Sequence, residues 1–285
     1  MSESCSGSCS SCSSAGGCSH QHGPSEADLR LAERLSHIQK VILVMSGKGG
    51  VGKSTVAVNL AVAAAKAGKR VGLLDIDVHG PSVPTMLGLE GKQLFSTETG
   101  IEPIETEGIR VISVGFLLDN LDDPVVWRGP MKISVIRQFL ESVAWGNLDL
   151  LVIDAPPGTG DEPLTVLQLV PRDMAGAVIV TTPQRVASVD VRKSVSFCKQ
   201  LEIPVLGVIE NMSGFVCPYC GKLTPILRQG GGKALAEDMG VPFLGSIPLD
   251  PAVTDAGDNG TPFASDAKGD SPVSSAFRDI VSKVL

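Results

Sequence analysis

Two kinds of residue in this chain are suited to chemistry: a glycine- and lysine-rich run that can cradle phosphate, and clustered cysteines that can hold a metal. The run Gly47-Lys48-Gly49-Gly50-Val51-Gly52-Lys53-Ser54-Thr55 satisfies the spacing G-x-x-x-x-G-K-[ST]. Glycines let backbone N–H groups turn inward around phosphate oxygens, and a helix starting at the loop's end adds the partial positive charge of its N-terminus. In such a loop Lys53 reaches the β- and γ-phosphates, the Ser54 hydroxyl ligates Mg2+, and Thr55 donates to the α-phosphate. Carboxylates complete the set. Asp75 and Asp77 close the run Leu73-Leu74-Asp75-Ile76-Asp77, where they would face the phosphates. Asp154 ends Leu150-Leu151-Val152-Ile153-Asp154, a position from which an acid holds Mg2+ through water. The loop that follows, Ala155-Pro156-Pro157-Gly158-Thr159-Gly160-Asp161, is built to sense a γ-phosphate. The expected activity is Mg2+-dependent hydrolysis of ATP.

The chain has 7 cysteines, unevenly placed. Cys5, Cys9, Cys12 and Cys18 crowd the N-terminus, Cys217 and Cys220 form a Cys-x-x-Cys pair, and Cys198 stands alone. In a reducing compartment disulfides are disfavoured, and close spacing points to metal ligation or redox chemistry. Cys217-Pro218-Tyr219-Cys220-Gly221 supplies one side of a metal site. Two copies of the chain would supply four thiolates, enough for one tetrahedral zinc or one [4Fe–4S] cluster. Residue chemistry alone leaves both open. Cys198, in Ser196-Phe197-Cys198, reads as a small core residue.

These residues need rigid elements to position them. Hydrophobic residues make up 43% of the 285-residue chain and aromatics only 4%, so the core must come from Val, Leu, Ile and Ala. Val41–Met45, Val71–Leu74, Val111–Val114, Leu150–Ile153, Ala177–Val180, Val205–Ile209 and Phe243–Ile247 read as buried strands. Helical stretches such as Lys53–Lys66, Met131–Ala144 and Val189–Leu201 separate them. Apolar strands alternating with helices predict an α/β fold: a mostly parallel central sheet with helices on both faces and ligands beyond the strands' carboxyl ends. Residues 1–25, rich in Ser, Gly and Cys, cannot bury enough apolar area to offset ordering entropy and are expected to form a flexible tail. Residues 26–39 predict a linking helix, 40–270 the nucleotide domain, and 271–285 a C-terminal helix. That last helix repeats Phe277, Ile280, Val281 and Val284 at helical spacing and is expected to dock on the domain. A net charge of −7 without basic runs argues against coating nucleic acid. No apolar run is long enough for a membrane span, and the N-terminus lacks the basic-then-apolar pattern of a secretory signal. A cytoplasmic location without membrane attachment is expected.

Lys48 makes the loop resemble the deviant Walker A form G-K-G-G-x-G-K-[ST]. That form marks the nucleotide-switch group of the nitrogenase iron protein, the cell-division and plasmid-partition ATPases and the arsenite pump ATPase. The resemblance implies a homodimer in which Lys48 crosses to the partner's nucleotide. It also implies that Asp77 positions or activates the attacking water while Asp75 helps hold the Mg2+ shell. Four further stretches resemble the Mrp/ApbC family: Asp75-Ile76-Asp77-Val78-His79-Gly80-Pro81-Ser82-Val83-Pro84, Trp127-Arg128-Gly129-Pro130-Met131, Asp154 to Asp161, and Glu210-Asn211-Met212-Ser213-Gly214. This resemblance spans roughly Lys40 to Pro262 and implies an ATP-dependent iron–sulfur cluster carrier or scaffold. Its partners would be apo iron–sulfur proteins and cluster-assembly factors. It further implies that Asn211 recognises the adenine and that Cys217 and Cys220 bridge a [4Fe–4S] cluster between protomers, with zinc as the alternative. In the tail, Cys9-x2-Cys12-x5-Cys18 matches the N-terminal cluster motif of the eukaryotic scaffold relatives. Cys5 departs from it, because the relatives place their first cysteine much farther ahead. Cys5, His20 or His22 would complete that set. Competing readings are a MinD/ParA-like positioning ATPase, which leaves the clustered cysteines unexplained, and a zinc-stabilised P-loop ligase or kinase.

Overall fold

The computed structural model describes residues 24–118, 127–217, 219–265 and 271–285. The tail cysteines Cys5, Cys9, Cys12 and Cys18, with His20 and His22, lie outside the described residues, as does Pro218. Helix α1 (Glu26–Ser36) starts at a reciprocal cap, in which the Ser25 side chain accepts from Asp28 N and Asp28 reaches back to Ser25. Strand β1 (Val41–Ser46) leads through the glycine loop into α2 (Lys53–Lys66), then β2 (Val71–Asp75) and the short α3 (Val83–Met86). Two hairpins follow: β3 (Phe95–Thr97) with β4 (Gly100–Glu102), and β5 (Ile104–Thr106) with β6 (Ile109–Ser113). Helix and strand then alternate through α4 (Gly129–Ser142), β7 (Leu150–Asp154), α5 (Asp161–Leu169), β8 (Ala175–Thr181), α6 (Arg185–Gln200) and β9 (Val205–Glu210). A small hairpin, β10 (Phe215–Val216) with β11 (Leu223–Thr224), precedes α7 (Gly231–Met239), β12 (Phe243–Ser246), α8 (Pro251–Asp258) and α9 (Pro272–Val284).

The main sheet is 8-stranded, in the order β12-β9-β8-β1-β7-β2-β6-β5. Its pairings are parallel except for β5 against β6. Every apolar run expected to be a strand is one, and β5 is the addition. Its half-exposed Ile104-Glu105-Thr106 carries too weak a pattern to stand out, but Glu107 and Gly108 both take left-handed φ, of 51° and 76°. Two such residues make the tight hairpin turn that joins it to β6.

Alternate residues of each strand feed separate cores. Ile42 and Val44 face α2 and α9, whereas Val41, Leu43 and Met45 face α1, α4 and α5. Helix α2 is apolar nearly all round because it lies between the sheet and α9. The C-terminal helix docks as expected: Phe277, Ile280, Val281 and Val284 are buried, and Lys283 Nζ donates to Leu244 O at 2.6 Å. Its apolar face is committed to the core. Helix α1 is shorter than expected, because Ile38 pairs with Leu148 and Gln39 N donates to Leu148 O at 3.0 Å.

Trp145 closes the core on the α4 side, 1% exposed, with its Nε1 donating to Phe139 O at 3.1 Å. Gly72 leaves room for this packing, since a Cβ there would sit 2.7 Å from Leu148 Cδ1, 2.9 Å from Leu151 Cδ1 and 3.0 Å from the indole ring. Trp145→Ala should therefore destabilise the fold by about 3–5 kcal/mol, seen as a lower urea midpoint at unchanged slope. An unchanged midpoint would show that the indole does not close this core.

Candidate functional site

The strand register brings the acids together. Asp75 pairs with Asp154 across β2 and β7 and with Ser113 across β2 and β6, while Val44 of β1 pairs with Asp154. Three neighbouring strands thus end in one small region, at the mouth of the glycine loop that leaves β1. Within that loop Gly50 and Gly52 take φ of 75° and 77°, and Gly49 and Gly50 border open space. Ser46 Oγ donates to Lys48 O at 3.0 Å, and Gly158 N donates to Ser46 O at 2.7 Å, tying the loop after β7 to the end of β1. Lys48 is half-buried on this rim.

Lys53 opens α2 and points back into the site, almost fully buried. Its Nζ lies 2.6 Å from Asp154 Oδ1, 3.2 Å from Ser54 Oγ and 3.8 Å from Asp77 Oδ2. One ammonium thus serves several buried carboxyls. Burial pushes the Asp154 carboxyl up, with Asp77's charge adding to the push, while Lys53 and the Ser54 hydroxyl pull it back. Asp75 is raised too, first by burial and then by the charge of Asp154. Both Asp75 oxygens are already engaged: Oδ1 accepts from Asp77 N at 3.0 Å and Oδ2 from Ser113 Oγ at 2.8 Å. Asp77 Oδ1 in turn accepts from His79 N at 3.3 Å. Asp154 Oδ2 is buried without a hydrogen-bond partner. An orphaned carboxylate oxygen beside a serine hydroxyl is a donor set that fits a hydrated divalent cation.

A cavity of about 290 Å³ opens beside the loop, lined by Gly52, Thr55, Asn211, Met212, the segment Ile247–Asp250 and Val253 among others. Asn211 Nδ2 donates to Val51 O at 2.9 Å, and a Cβ on Gly52 would collide with that amide. Gly47 through Thr55, Asn211, Asp75, Asp77 and Asp154 are therefore all in one region. Cys217 and Cys220 are not part of it.

The cysteine pair sits on the β10–β11 hairpin. Cys217 N donates to Lys222 O at 3.1 Å and Gly221 N to Cys217 O at 2.8 Å, with Gly221 at φ 66°. Both thiols are free, Cys217 half-buried and Cys220 exposed. The backbone N–H groups of Tyr219 and Cys220, and then the Cys220 thiol, hold the Cys217 thiol below its ordinary pKa. Among the described residues no group of three or more His, Cys, Asp or Glu could hold a metal ion, so one chain brings two thiolates here. Tyr219, Leu223 and Ile226 are exposed around them.

Several residues that sequence reading passed over contact these sites. Ser113 buttresses Asp75 from β6, which only the register reveals. Lys132 Nζ lies 2.8 Å from Glu162 Oε1 and 2.9 Å from His79 Nε2, joining the loop after β2 to the start of α5. Its place directly after Trp127–Met131 was the available signal. The pocket wall Ile247–Asp250 had none beyond a Pro-Leu-Asp-Pro turn.

A glycine loop on a central parallel strand, a buried lysine and flanking strand-tip acids define a P-loop NTPase. Residues 37–285 match the ParA family described as NUBPL iron-transfer P-loop NTPase, and the chain belongs to that family. It is 49% identical over 283 residues to an iron-sulfur cluster carrier protein of Methanocaldococcus jannaschii, covering 99% of this chain and 96% of that one. It is 48% identical over 255 residues to the human cytosolic Fe-S cluster assembly factor NUBP2, covering 88% and 94%. Among solved structures it resembles a nucleotide-binding protein from Archaeoglobus fulgidus in complex with ADP, with TM-score 0.72 and 44% identity over 82% of this chain and 91% of that one. The cell division ATPase MinD of Pyrococcus furiosus, at 22% identity and TM-score 0.60 over 86% of this chain and 98% of that one, shares the fold. Among the described residues no helix is long and apolar enough to cross a membrane.

Lys53→Ala removes the cation that, among the described residues, pairs with Asp77 and Asp154. It should weaken Mg·ATP binding by about 100-fold or more, read by anisotropy of a fluorescent ATP analogue. Affinity close to wild type would take Lys53 out of the nucleotide site.

Proposed function

We propose that this protein is an ATP-dependent iron–sulfur cluster carrier that acts in the cytoplasm as a homodimer and passes a [4Fe–4S] cluster to apo iron–sulfur proteins. The observation that carries this reading is the pair of free thiols on a hairpin, Cys220 exposed and half-buried Cys217 biased toward thiolate, in a chain whose relatives are named as cluster carriers and assembly factors. Two thiolates complete only half of a cluster's protein ligation. A second copy of the hairpin supplies the rest, and exposed Tyr219, Leu223 and Ile226 give the two copies an apolar rim to bury. Cluster assembly factors load that centre, and acceptor thiols displace the hairpin's own. Cys9, Cys12 and Cys18, with Cys5, form a second thiolate set in the tail.

In the nucleotide site the loop N–H groups from Gly47 to Gly52 receive the phosphates, Thr55 donates to the α-phosphate, and Asn211 recognises the adenine. Lys53 leaves its acids for the β- and γ-phosphates. Ser54 would hold Mg2+ directly and Asp154 through water, and the ion would supply charge neutralisation to the phosphates there. Asp77 orients the attacking water and takes up its proton. Asp75, with both oxygens engaged, supports that shell by fixing Asp77. Lys48 reaches the nucleotide of the partner, which makes closure of two copies depend on ATP. Hydrolysis is slow, in keeping with a timing role.

Asp77→Ala should bind Mg·ATP with affinity near wild type but hydrolyse it about 100-fold or more slowly, measured as single-turnover phosphate release. Unchanged turnover would remove Asp77 from catalysis. For the cargo, iron, acid-labile sulfide and zinc are measured after anaerobic reconstitution of protein lacking residues 1–25. Cys217→Ala/Cys220→Ala in that background should lose the iron and sulfide. Full retention by the double variant would overturn the bridging site, and zinc without sulfide in the parent would replace the cluster with a zinc centre.

A further inference from the structure

Residues 211–230 leave the sheet at the end of β9 and return at the start of α7, and this excursion carries Cys217 and Cys220. Its two ends are held by a single side chain. Glu210 is fully buried; its Oε1 accepts from Ser213 Oγ at 2.5 Å and from Gly230 N at 2.9 Å, and its Oε2 accepts from Gly232 N at 2.5 Å. The carboxylate thus caps the first turn of α7, where the helix dipole favours negative charge, and pins Ser213 at the same time. Gly232 is in van der Waals range of that side chain, so the clamp is tightly packed.

The same short stretch also forms part of the nucleotide cavity. Asn211 N donates to Thr181 O, and its side chain reaches Val51 O in the phosphate loop. Met212 follows with φ 55°, a left-handed conformation that a non-glycine residue adopts only when its surroundings hold it there. Beyond it, Ser213 N donates to Ile247 O at 2.9 Å, Leu249 N donates to Gly214 O at 2.8 Å, and Phe215 bridges Leu249. Ile247 and Leu249 line the cavity. The base of the cysteine hairpin and the wall of the cavity are therefore one hydrogen-bonded unit.

We infer that Glu210 is a positioning residue that couples nucleotide occupancy to the Cys217–Cys220 hairpin. Filling the cavity loads Asn211 and the Ile247–Leu249 wall. Because Glu210 fixes Ser213 to the start of α7, the displacement is passed into β10 rather than absorbed in a slack loop. The inference rests on the proposed carrier reading for its purpose, but not for its test, which needs no iron.

The test uses the full chain, free of iron and zinc, and reads iodoacetamide alkylation of the Cys217 and Cys220 peptide by mass spectrometry with and without saturating Mg·ADP. ADP is chosen because it lacks the γ-phosphate on which closure of two copies depends. Wild type should show a rate change of about fivefold or more on adding Mg·ADP. In Glu210→Gln that ratio should fall to about one, and in Ser213→Ala, which leaves the carboxylate its other two donors, it should shrink by at least half. Each variant is compared at its own saturating ADP concentration. A loosened fold would raise both rates together and keep their ratio, so the ratio separates coupling from stability. If Glu210→Gln does not fold, Ser213→Ala decides alone. A wild-type rate indifferent to Mg·ADP, or variants that respond as wild type does, overturns the inference. Failure of the carrier reading appears separately, as lost iron and sulfide retention in wild type.

Discussion

The ammonium of Lys53 lies 2.6 Å from Asp154 and within 4 Å of Asp77, with Asp75 stacked behind them in the sheet register. Buried carboxyls at this density are tolerated only with compensation, and one lysine supplies the cation. Much of the architecture follows from bringing that lysine there. Helix α2 must begin at residue 53, which forces the chain to turn through left-handed Gly50 and Gly52 immediately after β1. Strands β7 and β2 must end level with β1 beside them, or the acids would miss the ammonium. The acids suit a cation: Asp154 Oδ2 is buried without a hydrogen-bond partner, and the raised carboxyls of Asp154 and Asp75 favour positive charge nearby. A divalent cation held there would relieve both conditions, and nucleotide phosphates would give Lys53 a new counterion.

What could be read in advance depended on whether a feature is local. The strands were legible because parallel strands buried on two faces read as unbroken Val, Leu and Ile runs, and the glycine loop because its spacing is itself the mechanism. Asp75, Asp77 and Asp154 were legible as strand-tip acids. Their partners were not: Ser113 meets Asp75, and Lys132 meets Glu162 and His79, through registers and crossings no spacing encodes. Strand β5 escaped because three residues of weak alternation cannot be told from a loop. Helix α1 was overextended because Ile38 continues an apolar pattern while its backbone has already turned to pair with Leu148.

Two cysteines of the same chain show how surroundings decide chemistry. Cys198 is fully buried on α6, 3.8 Å from Met45 Sδ, and burial pushes its thiol up to about 11. It stays protonated and behaves as a small apolar group. Cys217 is met by two backbone N–H groups and lies below its ordinary value. The reading of Cys198 as a core residue holds, and the local structure explains the contrast: a turn of Cys-x-x-Cys-Gly aims N–H groups at sulfur whereas a mid-helix position cannot, because helical N–H groups are already spent on the turn before.

Under the proposed carrier role, the placement of the thiol pair outside the sheet has a consequence for handling a labile cargo. Each strand of the β10–β11 hairpin is two residues long, and a pairing that small has little stability of its own. Its conformation must come from its anchors, and those are Glu210, Ile247 and Leu249 at its base. A cysteine pair built into the sheet would share the rigidity of the core and could be neither presented nor withdrawn. A pair on a free loop would have no fixed geometry for the cluster to meet. A short hairpin tethered at the wall of the nucleotide cavity avoids both extremes, because its thiols are ordered only as far as that wall orders them.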